Sequence, residues 1–92
     1  MKHSVPTRRN PYQMLEEALK NGWNSVDSLP LPENGEFMVI TMSGLIRRAR
    51  NRNPIARIRK ADHYGPARAN VIAIESGNYL AAIAWRPAPS KT

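Results

Sequence analysis

The chain has 92 residues, 41% of them hydrophobic and 23% charged, a balance that excludes a disordered chain and leaves room for one domain with a modest core. It holds no cysteine, which excludes disulfides, thiolate metal sites and cysteine nucleophiles. The net charge is +7, and no apolar stretch is long enough to span a bilayer or act as a signal peptide, so a cytoplasmic protein with an acidic partner is expected.

Residues 1–9 carry no periodic pattern and read as a flexible leader before a single globular domain over 10–89. Asn10, Pro11 and Gln13 form a helix start, with a capping side chain, a proline at the first helical position and a capping-box partner. The apolar stripe Met14, Leu15, Ala18 and Leu19 predicts a helix packed on the core and ended by Gly22. Trp23 to Asn34, interrupted by Pro30 and Pro32, reads as an ordered loop pinned by Trp23, Val26 and Leu29.

Glu36 to Met42 is apolar on both alternating faces, as a covered central strand would be. Ser43-Gly44 supplies a tight turn into the strand Leu45 to Asn51, where Arg48, Arg50 and Arg52 share one face and Arg47, Ala49 and Asn51 the other. Asn53-Pro54 breaks that strand, Ile55 to Lys60 suits a short edge strand, and Ala61 to Ala69 suits a loop. A second hairpin follows, Val71 to Glu75 and Tyr79 to Arg86 around Ser76-Gly77-Asn78, with Val71, Ile72, Ile74, Leu80, Ile83 and Trp85 as core. Pro87 and Pro89 close it, and 90–92 form a tail.

The expected fold is therefore α+β: an N-terminal helix followed by four to five antiparallel strands in two hairpins. A small sheet with the helix on one face and a partly open SH3-like barrel both bury these residues.

The charge is unevenly distributed. Between residues 47 and 68 lie Arg47, Arg48, Arg50, Arg52, Arg57, Arg59, Lys60 and Arg68 against Asp62 alone, which accounts for the whole +7, while six basic and six acidic residues balance elsewhere. Seven of these eight are arginine, whose planar fork binds phosphate or carboxylate through two bonds and stacks on bases. On a strand, Arg48, Arg50 and Arg52 stand about 6.5 to 7 Å apart, close to the phosphate repeat of a nucleic-acid strand. Tyr64, in the loop of the same stretch, is the candidate exposed aromatic, whereas Trp23 and Trp85 stand among apolar neighbours and read as core.

Signals for catalysis are weak. His3 and His63 are the only histidines, so Asp62-His63 falls short of a metal ligand set, and neither a nucleophile elbow nor a phosphate loop is present. The expectation is a non-enzymatic protein with no cofactor and no metal.

The elements Trp23-x-x-Val26-x-x-Leu29-Pro30, Gly35-x-x-x-Val39, Gly44-x-Ile46 and Trp85-x-Pro87 resemble the small phage and prophage proteins of domain-of-unknown-function family 551. The resemblance implies origin in a mobile element or a bacterium carrying one and no particular activity, since that family has no settled biochemical function. The basic stretch between the hairpins is longer and more basic than the family pattern, and Arg86 stands where an apolar residue is commoner. Two partners fit the arginines: nucleic acid, DNA or RNA, held through its phosphates, or an acidic surface of a host protein. An exposed edge strand also allows a homodimer.

Overall fold

In the computed structural model, which describes residues 10–52 and 57–89, Asn10 caps helix α1, Pro11–Lys20. Its side chain accepts the Gln13 N–H at 2.9 Å, and the Gln13 side chain accepts the Asn10 N–H at 3.4 Å. Two N-terminal donors that the helix itself leaves without partners are thus satisfied. At the other end Gly22, at φ +87°, takes the left-handed conformation that turns the chain away. Ala18 is buried, and Met14 and Leu15 pack beside it. Leu19, expected in the stripe, is exposed, because the line of contact follows Met14 and Ala18 and leaves Leu19 about 100° further round the helix.

Among the described residues six strands follow: β1 Asn24–Ser25, β2 Glu36–Thr41, β3 Ile46–Arg50, β4 Ile58–Arg59, β5 Arg68–Ala73 and β6 Tyr79–Pro87. All pair antiparallel in the order β1-β6-β2-β3-β5-β4, and β6 pairs with β5 as well. The nine residues of β6 give it the length for both neighbours, 79–82 against β5 and 82–87 against β2, so the sheet curls and partly closes. The count exceeds the expected four to five strands because Asn24–Ser25, read as loop, adds two residues along β6. The expected edge strand is confined to Ile58–Arg59 within the described residues. The expected leader 1–9, the break at Asn53-Pro54, the strand start at Ile55 and the tail 90–92 lie outside the described residues.

Closure explains the core composition. Inside the curl stand Phe37, Val39, Val71 and Trp85 with Ala49, Ala67, Ala69 and Ala82, and the narrow interior leaves room for only a few large side chains among alanines. The other face of β2 and β6 is covered by α1, where Trp23, Ile83 and Ala84 meet Met14, Leu15, Met38, Ile40 and Met42. Both faces of β2 are covered, as its uninterrupted apolar run requires. In the long loop Trp23 and Val26 are buried as expected and Leu31 is buried with them, whereas Leu29, expected to be the third anchor, is 46% exposed. Leu29 contributes its carbonyl instead, which accepts the Trp85 indole N–H at 2.9 Å. Ile74 is likewise exposed, because β5 ends at Ala73 and places it in the turn, while Ile72 and Leu80 are half-buried.

Candidate anion-binding surface

Alternation along β3 sorts the arginines. Ala49 and Asn51 point inward and are buried, so Arg48 and Arg50 face out. Asn51 fixes this phase where the strand ends: its amide donates to the Pro32 carbonyl at 3.0 Å and its oxygen accepts the Arg52 N–H at 3.1 Å. Arg47 shares the inward phase yet is exposed, and its guanidinium donates to the Ile46 carbonyl at 2.9 Å.

Pairing then aligns strands that are separate in sequence. Ile72 pairs with both Arg50 and Tyr79, and Ala69 with both Ile58 and Ala82. With β6 on one edge of β5, strands β3 and β4 must lie end to end along its other edge. Arg50 stands opposite Ile72, and Arg59 opposite Arg68, four residues away along β5, or about 13 Å. Arg48, one pleat beyond Arg50, extends the same line, and Arg57 and Lys60 flank Arg59 as exposed residues. The arginines of the two segments therefore form one line rather than two patches.

Their charges are not equally available. Arg48 pairs with Glu36 at 3.0 Å, both partners partly exposed. Arg59 is 3.9 Å from Asp62. Arg50 donates only a 3.5 Å bond to the Asn51 carbonyl, and among the described residues neither Arg50 nor Arg52 has a carboxylate within ion-pair distance.

Arg68 belongs to a different structure. Its side chain is 11% exposed, and two of its nitrogens donate to the two Asp62 oxygens at 3.2 and 3.1 Å, with further bonds to the Gly65 and Pro66 carbonyls. Arg68, one of the candidate binding residues of the basic stretch, is thus mostly buried and braces the 62–68 loop. Asp62 also accepts the Tyr64 and Gly65 N–H groups, and the Tyr12 hydroxyl donates to the Asp62 and Gly65 carbonyls, tying α1 to the loop. The Arg68 hydrogen bond, helped by those two N–H groups and by the Arg68 charge, lowers the Asp62 pKa to about 2.

That depression sets a pH dependence. The folded state holds Asp62 ionised below the usual carboxylate range, so its contribution is fully present above about pH 4 and is lost as pH falls toward 2. In Asp62→Asn the unfolding midpoint is expected to be lower at pH 7 and to fall less steeply between pH 4 and 2 than in the parent. Parallel profiles of urea midpoint against pH would contradict this role.

Of the aromatics, Tyr64 is 67% exposed and its ring lies against that of His63, centroids 4.0 Å apart. Trp23 and Trp85 are buried, with Arg86 over the outer face of Trp23 at 4.6 Å and Phe37 edge-on to Trp85 at 6.1 Å. Tyr79 is the residue that the sequence reading missed. It is 65% exposed, at the open end of the cross-strand row Tyr79, Ile72, Arg50, Glu36, and the Arg52 guanidinium carbon stands 5.6 Å from its ring centroid. The signal was available in phase: Leu80 and Ala82 turn inward along β6, so Tyr79 turns outward. Beyond Arg50 and Arg52 the surface sinks into a cleft of about 620 Å³ bounded also by Glu33, Asn34 and Glu36.

Compared with family models, curated proteins and solved structures, the chain has no significant match in any of the three. No helix among the described residues is long and apolar enough to cross a membrane.

Proposed function

We propose that the chain is a small non-enzymatic binding protein, of phage or mobile-element origin, that holds nucleic-acid phosphates along the line from Arg48 through Arg50 and Arg52 to Arg57, Arg59 and Lys60. The observation that carries this reading is the end-to-end placement of β3 and β4 on one edge of β5, with no carboxylate among the described residues within ion-pair distance of Arg50 or Arg52. A face needed only for solubility gains nothing from a line of forked donors at a phosphate-like repeat. The SH3-like description of the partly closed sheet belongs to the same proposal. Among the described residues there is no helix-turn-helix or zinc finger, and binding on this reading is governed by charge rather than by base sequence.

A salt titration tests it. If five phosphates are engaged, the slope of log affinity against log salt is about −3.5 on a single strand and about −4.5 on a duplex. Binding that is indifferent to salt, or no binding at low salt, overturns the proposal.

A second reading has its own observation. Leu45, Ile46 and Ile74 are exposed near Arg47 and Arg48, a mixed apolar and basic patch that suits an acidic surface of a host protein. A partner retained from lysate after complete nuclease digestion, and lost in Arg47→Glu, favours that reading.

A further inference from the structure

Tyr79 stays exposed at the end of its cross-strand row because, among the described residues, β5 is its only strand neighbour there: β2 and β1 join β6 only from Ala82 and Ala84 onward. Ile72 lies beside it, and the Arg52 guanidinium stands over the ring. An exposed ring with an apolar neighbour that already carries a planar cation is a ready stacking platform, because a base can take the place of the guanidinium on the ring and leave Arg52 to the adjoining phosphate. No such platform is needed to hold phosphate alone.

Resting on the phosphate-binding reading above, we propose that the surface takes single-stranded nucleic acid, with one base stacked on Tyr79 and the adjoining phosphates on Arg50 and Arg52. Three features favour a single strand over a duplex. In a duplex the bases are already stacked on one another and offer the ring no face, whereas an unpaired strand can splay them outward. Helix α1 packs on β1 and β6 rather than on β3 or β5 and reaches the 62–65 loop only through its N-terminal turn, so the row from Tyr79 to Arg50 presents no helix to a major groove. Glu33 and Glu36 line the cleft beyond Arg50 and repel phosphate, which confines the backbone to the side of Ile72 and Tyr79 and directs it along β5 toward Arg59.

The test uses the full chain and three labelled probes read by fluorescence anisotropy: a single strand of about twelve nucleotides, within the usual site size for such proteins, the same strand in a duplex, and a single strand of equal length made of abasic sites. The intact single strand is expected to bind most tightly. Tyr79→Ala should lower its affinity roughly tenfold, the scale of losing one base–aromatic stack, while leaving abasic-strand affinity and the salt slope unchanged. Tyr79→Phe should keep the parent affinity. Equal binding of intact and abasic strands by the parent protein, or tighter binding of the duplex, overturns the single-strand assignment while leaving phosphate binding in place. Failure of all three probes at low salt overturns both.

Discussion

Replacing Arg50 and Arg52 together with alanine is expected to weaken single-strand binding about ten- to a hundredfold at moderate salt, each factor of ten being about 1.4 kcal/mol. The salt slope is expected to flatten from about −3.5 to about −2, as it would if two of five phosphate contacts were lost. These two residues are chosen because, of Arg48, Arg50 and Arg52 on the outward face of β3 and its exit, they are the two with no carboxylate at ion-pair distance among the described residues. Arg48 is already held by Glu36, and Arg48→Ala should cost less, since part of its charge is answered within the protein. Arg68→Ala is the informative contrast. It should lower stability through the loop that Asp62 organises and leave the salt slope of the folded protein near its parent value. A double variant with unchanged slope and affinity would remove the β3 line from the binding surface.

The largest effect on stability is expected at Phe37. It is wholly buried, lies edge-on to Trp85 at 6.1 Å, and stands where β2 pairs with β3 on one side and β6 on the other. Truncating such a ring leaves a cavity that an interior lined by alanines cannot collapse to fill, and Phe37→Ala should cost about 3 to 5 kcal/mol. A domain of this size has roughly 5 to 14 kcal/mol in total, so the variant should be partly unfolded near its growth temperature or unfold at much lower urea. Phe37→Leu keeps most of the volume and should cost less than half as much. Trp85 fluorescence during urea unfolding reports both variants, and a midpoint for Phe37→Ala close to the parent's would show that the ring does not hold the curled sheet together.

The contrast between these two predictions follows the chain's design. Interior positions along the strands are small or apolar and tolerate little change in volume, while the outward positions of β3 are charged and can be changed with little cost to folding. Function tests on Arg50 and Arg52 are thereby separable from folding, whereas tests on Arg68 are not.

Much of the local structure was legible in the residues. Asn10, Pro11 and Gln13 specify a helix start through bonds made within four residues, and the Ser43-Gly44 and Ser76-Gly77-Asn78 turns specify two hairpins. The period of two places Arg48 and Arg50 outward once Ala49 is inward. Each is a short-range consequence of backbone geometry and needs no knowledge of the rest of the chain. Three features were not legible, because each depends on which distant strands meet. The pairing of β6 with both β2 and β5 bends the sheet and makes alanine, rather than a larger residue, the right size for its interior. The meeting of Asp62 with Arg68 withdraws one cation from the basic stretch. The placement of β3 and β6 on opposite edges of β5 brings Tyr79 into the row of Arg50 and under Arg52. The sequence by itself determined the elements and the sign of the surface; only the tertiary pairing decided which charges stay available and which aromatic stands beside them, since those outcomes turn on contacts between residues far apart in the chain.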